Sequence, residues 1–346
     1  MDAPAGISSG YRVRVLTEGW ARMGGRELRG VLESVPDVAA EPERLRTPGD
    51  WVMVGEFDGP VRAWRFAERQ PISAVDRPWT APGQWTSSLD RAAYTDGVRR
   101  VRAAIRDGAV YQANLCRVLA AELPTEPSAA ALADRLALGN PAPFAAAVQV
   151  PGQWVVSASP ELFLRVADGR VTSSPIKGTA RTPGGLSAKD RAENVMITDL
   201  VRNDLQRICR PGTVRVDELL AVEEHPGLAH LVSTVSGELR TQDWSALLAA
   251  TFPPGSVSGA PKSSALRIIA ELETAPRGPY CGLVGWCEVA ADGALRAELA
   301  VGIRTFWWAD GMLRFGTGAG ITWGSDPEQE WAETELKAER LIGLTA

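Results

Sequence analysis

The feature that most constrains the fold is a mixture of many short strand-like runs with a few long helical segments. Runs typical of strands lie at 11–16, 51–57, 111–123, 144–150, 153–158, 171–177, 229–237, 280–289, 296–308 and 312–317. Helical segments lie at 88–105, 187–208 and 262–273, and a last helix begins near 326–327. Because the two kinds of element do not alternate strictly, the pattern predicts an α+β fold and not a doubly wound parallel sheet.

Helix start signals give some of the boundaries. Ser87 and Ser88 are predicted to cap the helix that Gly108 ends, and Asp326 followed by Pro327 is predicted to start the last helix. The proline-containing stretch 76–85 is typical of a linker. We therefore expect a short N-terminal subdomain, residues 1–85, and a larger domain, residues 86–346.

Composition narrows the class of protein. The net charge of −5 gives no sign of a nucleic-acid partner. No apolar run approaches the length of a membrane span, and the first ten residues lack the basic and apolar regions of a secretory signal. We expect a cytoplasmic protein that binds neither nucleic acid nor a membrane.

Cysteine and histidine usage bounds the metal chemistry. The four cysteines form no CxxC pair, so we expect reduced and mostly buried thiols. Two histidines are too few for a zinc site built on several of them. A metal here is expected to be held mainly by oxygen ligands, which favours Mg²⁺.

Carboxylates recur at helical spacing on two predicted helices. Glu330, Glu333 and Lys337 lie three and four residues apart on the last helix, which places them on one face. Asp190 and Glu193 have the same relation on the helix 187–208. Two such faces could bind one hard dication between them, and the alternative is a pair of solvated acidic surfaces.

Two further ionisable residues lie at the ends of apolar runs. Lys177, in the segment SSPIKGTA, could be a nucleophile if a cleft lowers the pKa of its amine; the alternative is a surface lysine at a turn. Glu161, before the apolar run LFL, could be a general acid if burial raises its pKa. The alternative for Glu161 is an ordinary turn glutamate after Pro160.

Two glycine-rich segments are predicted to be loops. The first, 252–262, runs into a helix, whose free N–H groups can hold a carboxylate or phosphate. The second is GTGAG, 316–320, which lacks the strand–GxGxxG–helix context of a dinucleotide site, so close approach of backbone to a small ligand fits better. Candidate ligands for an anionic substrate are His230, Tyr280, Arg304 and Lys337, although each could instead make a structural ion pair or hydrogen bond.

Ten segments in order resemble the chorismate-utilising enzymes, a family that includes anthranilate, aminodeoxychorismate, isochorismate and salicylate synthases. They are YQANLCR (111–117), SASPELF (157–163), SPIKGTA (174–180), DRAENVMITDLVRND (190–204), HLVSTVSG (230–237), FPPGSVSGAPK (252–262), RGPYCGLVG (277–285), AVGIRT (300–305), GTGAGI (316–321) and SDPEQEWAETELKA (325–338). The resemblance implies two antiparallel sheets packed face to face with helices outside. It also implies that the N-terminal subdomain is shortened and contributes to the same sandwich.

The resemblance also implies roles for the site residues. Glu193 and Glu333 would bind Mg²⁺ directly, and Asp190 and Glu330 through water, so that the ion holds the ring carboxylate of chorismate. The second carboxylate would be held by Arg304, Lys337, Tyr280 and the backbone of Gly318, Ala319 and Gly320. Residues lining the ring would be Ser256, Thr179 and His230, while Glu161 would protonate the leaving 4-hydroxyl.

Two positions indicate which reaction the resemblance implies. Isochorismate and salicylate synthases carry a lysine base at the position of Gln112, so attack by water is disfavoured here. Anthranilate synthases usually read PIAGT where this chain reads PIKGT, the form typical of aminodeoxychorismate synthases. In such an enzyme Lys177 attacks C2 and expels the 4-hydroxyl with a shift of the double bond; ammonia then attacks C4 and expels the lysine.

The implied ammonia requires a source. No glutaminase signature is found, so we expect a separate glutaminase subunit and a role in p-aminobenzoate and folate biosynthesis. Three alternatives stay open: an anthranilate synthase component, the same chemistry in secondary metabolism, and a non-catalytic binding subunit. One departure from the family pattern is Ala180, where arginine is common, with Arg181 as a possible substitute.

Overall fold

Eighteen strands form one antiparallel sheet in the part of the chain that the computed structural model describes, residues 17–72, 77–180, 182–225 and 228–346. The strand predicted at 11–16 lies outside these residues. The strands are β1 Thr17–Met23, β2 Arg26–Val35, β3 Gly49–Gly55, β4 Val61–Gln70, β5 Thr86–Ser87, β6 Gln112–Glu122, β7 Phe144–Val150, β8 Gln153–Ser159, β9 Leu162–Ala167, β10 Arg170–Ser174, β11 Ile176–Ala180, β12 Arg215–His225, β13 Leu228–Glu238, β14 Gly259–Ala260, β15 Leu283–Val289, β16 Leu295–Val301, β17 Thr305–Ala309 and β18 Met312–Ile321.

Six α-helices accompany these strands in the described ranges. They are α1 Arg91–Arg106, α2 Ala129–Gly139, α3 Ala188–Gln206, α4 Trp244–Thr251, α5 Lys262–Leu272 and α6 Pro327–Gly343. The predicted α+β class is confirmed, and α3, α5 and α6 lie where the sequence placed them. Helices α2 and α4 were not predicted. The strands that were not predicted are β1, β2, β4, β5, β9, β12 and β14. No described helix has both the length and the apolar character needed to cross a membrane.

The sheet has two arms joined at β1. One arm runs from β2 through β4, β3, β15, β16, β9 and β10 to β13, with β11 and β12 beyond it. The other runs from β7 through β8, β17 and β18 to β6. Strand β1 pairs with β2 on one side and with β7 on the other. The strands of 17–70 thus belong to the same sheet as the rest, while the boundary at residue 85 stays a prediction.

The two arms share one apolar core. Its largest cluster contains Trp51 and Val284 from the first arm, together with Val148 and Val155 from the second, all at most 1% exposed. Burying each side chain of this size contributes about 1.5–3 kcal/mol. The two layers predicted to pack face to face are therefore the two arms of a single sheet, with the core between them. The four free cysteines are buried, as expected.

Helix capping explains three boundaries and corrects one prediction. Helix α3 begins with a capping box between Ser187 and Asp190, and α6 begins where Asp326 accepts hydrogen bonds from two backbone N–H groups, as its sequence predicts. The predicted cap of α1 at 87–88 is wrong, because Asp90 accepts the hydrogen bond from the N–H of Ala93. Ser88 is instead hydrogen-bonded to the backbone of β6.

Candidate active site

A lysine projects from β11 into a cleft between the ends of several elements. The side chain of Lys177 is half-buried, and its Nζ donates a hydrogen bond to the carbonyl oxygen of Ser256 at 3.0 Å. Desolvation lowers the pKa of this amine, although nearby carboxylates, first Glu193 and then Glu161, act to raise it. The alternative of a surface lysine at a turn is wrong, and a larger neutral fraction of the amine favours nucleophilic attack.

A buried carboxyl group lies beside this lysine, in the turn between β8 and β9. Glu161 is 4% exposed, and burial raises its pKa to about 7. The Ser256 hydroxyl, the charge of Lys177 and the backbone N–H of Ile176 oppose that rise. A carboxyl group that is half protonated near neutral pH can donate a proton to a substrate, which fits the predicted general acid.

The acidic faces of α3 and α6 meet, so the alternative of two separately solvated surfaces is wrong. The Lys189 ammonium lies 3.8 Å from Glu193 Oε1 and 3.5 Å from Glu330 Oε1. Glu330 is 4% exposed. Glu193 Oε1 is buried and makes no hydrogen bond with the described residues, and burial raises the pKa of this carboxyl. Two carboxylates of different helices thus share one small region.

The remaining predicted metal ligands have protein partners. Burial acts to raise the pKa of Glu333, but Lys337, whose ammonium is 2.6 Å away, and then Lys189 hold it below its usual value. Asp190 Oδ2 accepts hydrogen bonds from the backbone N–H and hydroxyl of Ser187 in the capping box of α3.

The surroundings of the Glu193 carboxylate indicate whether these residues fit a magnesium ion. Within the described ranges, no group of three or more His, Cys, Asp or Glu side chains is arranged to hold a metal ion. Nevertheless, Glu193 Oε1 accepts no hydrogen bond from the described residues, and together with the neighbouring Glu330 carboxylate it offers the oxygen ligands that a hard dication prefers, at the place where the Lys189 ammonium lies. These carboxylates fit such an ion, and magnesium binding here is part of the function proposed below.

Two cations, Arg304 and Lys337, are candidates for binding a substrate anion. Arg304 is half-buried between β16 and β17 at a φ of +52°, and its guanidinium makes no hydrogen bond or ion pair with any described residue. Burial, and then the charge of Arg340, lower its pKa. The Lys337 ammonium donates to the carbonyl of Gly318 at 3.0 Å. A partly desolvated guanidinium without a partner is ready to bind a carboxylate.

Tyr280 is more deeply buried than Arg304 and Lys337. It is 5% exposed, and its hydroxyl lies 3.8 Å from Cys116 Sγ. Burial raises the pKa of this hydroxyl well above its usual value, so it stays protonated and can donate.

The segment GTGAG is not a loop, and that prediction is wrong. Residues 316–320 lie inside β18 and pair with β6 along its length. The glycines are required there by close packing, since a Cβ on Gly316 would lie 2.1 Å from the ring of Tyr280. A Cβ on Gly320 would lie 2.2 Å from Gln112 Nε2 and 3.4 Å from Lys177 Nζ. As predicted, bare backbone lets other groups approach closely.

The predicted ring-lining residues come from three neighbouring elements. His230 is buried on β13, opposite Thr179 of β11 in the strand register. Ser256 is 6% exposed, in a short 3-10 helix over Gly255–Val257, and its carbonyl and hydroxyl contact Lys177 and Glu161 respectively. The structure therefore brings the predicted catalytic pair together with Ser256.

Sequence reasoning missed two residues that hold the site. Lys189, which bridges the two acidic helices, is signalled only by its position four residues before Glu193. Asn194 is fully buried on α3; its Nδ2 donates to the carbonyl of Leu231 at 2.8 Å, and its Oδ1 accepts from the Ser233 hydroxyl. These bonds fix α3 against β13, beside Glu193.

Comparison with known proteins gives consistent matches. Residues 31–343 match the family model described as chorismate binding enzyme. The aminodeoxychorismate synthase component 1 of Salmonella typhimurium is 33% identical over 347 residues, covering 92% of this chain and 74% of the relative. The anthranilate synthase component 1 of Saccharolobus solfataricus is 39% identical over 273 residues, covering 74% of this chain and 63% of the relative.

Solved structures show the same fold. The menaquinone-specific isochorismate synthase of Escherichia coli superposes with a TM-score of 0.79 at 21% identity, covering 95% of this chain and 88% of that one. The anthranilate synthase component I of Streptococcus pneumoniae superposes with a TM-score of 0.76 at 23% identity, covering 94% and 90%. At these identities the likeness concerns the fold alone.

Proposed function

Because this chain belongs to the chorismate-binding enzyme family, we propose that it aminates chorismate to 4-amino-4-deoxychorismate, as the synthase subunit of an aminodeoxychorismate synthase. The observation that carries the proposal is the pair of Lys177 and Glu161. Burial lowers the pKa of the amine and raises that of the carboxyl to about 7. The lowered pKa enlarges the neutral, nucleophilic fraction of the amine, while the carboxyl still holds a proton to donate near neutral pH.

The two carboxylates of the substrate would be bound by different groups. Arg304, which has no side-chain partner among the described residues, is suited to the side-chain carboxylate, together with Lys337 and the Gly318–Gly320 backbone. The ring carboxylate would lie towards Glu193 and Glu333 with a bound Mg²⁺. The ion, when bound, would supply the positive charge that lets a carboxylate of the substrate approach carboxylates of the protein.

The reaction then uses two ring carbons, C2 and C4. The amine of Lys177 attacks C2, the ring double bonds shift, and the C4–O bond breaks. The oxygen leaves as water with the proton of Glu161, which leaves a secondary ammonium at Lys177 and a carboxylate at Glu161. Ammonia adds to C4 in the reverse sense, and the amine of Lys177 departs from C2.

Gln112 supports amination over hydration. It lies at the start of β6, 1% exposed, with its amide next to Gly320 and Lys177. A neutral amide cannot take a proton from water as a lysine base would. The site therefore activates the amine of Lys177 and not a water molecule.

An anthranilate synthase component is the second candidate, favoured by the 39% identity to the Saccharolobus protein. In both cases a separate glutaminase subunit would supply ammonia, in keeping with the "component 1" names of the relatives. Folate or secondary metabolism would use the same product, and a silent binding subunit would not need Glu161 and Lys177 side by side.

One incubation tests the proposal. The protein is mixed with chorismate, Mg²⁺ and an ammonium salt, and the products are separated by chromatography and identified by mass. We expect 4-amino-4-deoxychorismate from the wild type and none from Lys177→Ala. Anthranilate as the sole product would favour the second candidate, and amination by Lys177→Ala at the wild-type rate would exclude the covalent mechanism.

A further inference from the structure

A small cavity of about 20 Å³, which has room for about one water, adjoins the candidate site at Glu161 and Ser256. Its walls are mostly apolar and include Val201 and Leu205 of α3, which are at most 8% exposed. Lys177 is not among its lining residues. The cavity thus meets the site at the general acid and extends away from the nucleophile.

Polar groups lie at intervals along this cavity. Besides Glu161 and Ser256, it is lined by Ser173, Thr251 and Asp204. The Thr251 hydroxyl donates to the carbonyl of Leu247 at 2.7 Å, which leaves its oxygen free to accept. A buried water usually needs two to four polar partners, and these groups provide them next to Glu161.

The proposed chemistry releases one water at this place. When the C4–O bond breaks, the water forms at the carboxyl of Glu161, and the same C4 must next accept ammonia. A water that stays at C4 can add back, return its proton to the Glu161 carboxylate and release Lys177 from C2. Productive amination therefore requires that the water move away before ammonia arrives.

We propose that the cavity lined by Val201, Thr251 and Ser173 is the subsite that receives the water released from C4. This inference rests on the proposed function. The cavity holds a single water molecule, and the Thr251 hydroxyl positions that water.

Oxygen exchange tests the proposal without ammonia or a partner subunit. The protein is incubated with chorismate and Mg²⁺ in ¹⁸O-labelled water, and the label in the 4-hydroxyl of recovered chorismate is measured by mass spectrometry. In the wild type we expect exchange, because water leaves and returns through the cavity. Val201→Leu narrows the space, and Thr251→Val removes the hydroxyl while keeping the shape.

Thr251→Val should slow exchange roughly two- to tenfold, the range that corresponds to the net loss of one hydrogen bond, and Val201→Leu should slow it by filling the space, both at an unchanged KM for chorismate. Thr251→Ser, which keeps the hydroxyl, should restore most of the rate. Val216→Leu on β12 is the matched control, since Val216 is 38% exposed and does not line the cavity.

The outcomes separate the inference from the function on which it rests. If the wild type aminates and exchanges while Val201→Leu and Thr251→Val exchange at its rate, the cavity does not receive the water. A raised apparent KM for ammonium with unchanged exchange would mean that the cavity conducts ammonia, and would also overturn the inference, as would amination without any exchange. A wild type that neither exchanges nor aminates would refute the proposed function itself.

Discussion

Replacing Glu161 by glutamine should make the protein more stable at alkaline pH while it removes the general acid. Burial raises the pKa of this carboxyl from 4.5 to about 7. Each pKa unit corresponds to about 1.36 kcal/mol, so ionising Glu161 in the folded protein costs about 3 kcal/mol well above pH 7. Glutamine has the same shape, accepts the same hydrogen bond from Ser256 and never ionises.

The sign of the pH dependence follows from the raised pKa. The contribution of Glu161 to stability is fully present below pH 4.5 and is lost as the pH rises through about 7. The free energy of unfolding of Glu161→Gln minus that of the wild type should therefore grow by about 2.5 kcal/mol between about pH 5 and about pH 8.5. Urea unfolding of both proteins at the two pH values measures it. A difference that stays constant, or shrinks at alkaline pH, would refute the reasoning.

Three further outcomes are expected. The slope of log kcat/KM for chorismate against pH should decrease by one unit near pH 7 as Glu161 ionises. Ser256→Ala should move this bend to higher pH by removing a hydrogen bond that lowers the pKa; initial rates across pH measure both, and an unmoved bend would contradict the contact. Glu193→Gln should raise the Mg²⁺ concentration for half-maximal activity by about tenfold or more, as a Mg²⁺ titration would show, whereas an unchanged value would exclude Glu193 as a ligand. Asn194→Ala should lower the free energy of unfolding by about 1–3 kcal/mol in urea titrations, because the carbonyl of Leu231 loses its donor, and no loss would mean that water replaces the amide.

Local sequence patterns predicted the structure correctly where a short segment determines its own conformation. The start of α6 at Asp326 and Pro327 and the length of α3 follow from capping and apolar spacing, and the structure has both. The catalytic pair was predictable for a similar reason, since Lys177 and Glu161 each adjoin an apolar run that becomes a buried strand.

The predictions that were wrong or missing concern structure that depends on residues far apart in the sequence. The glycines of GTGAG show no apolar alternation, so the sequence alone predicts a loop. The segment is a strand because it pairs with β6, about 200 residues earlier in the chain. The meeting of α3 with α6 at Lys189 is likewise a tertiary contact that no local spacing gives. The predicted cap at Ser88 failed because strand β6 competes for that hydroxyl.

The seven residues of β1 belong to no candidate site, but they connect the two arms of the sheet. The nucleophile lies at the far end of one arm, on β11, and the glycine strand β18 belongs to the other; among the described strands, β1 alone is hydrogen-bonded to both arms. Changes in Thr17–Met23 would therefore loosen the join between the two arms without touching any residue of the candidate site.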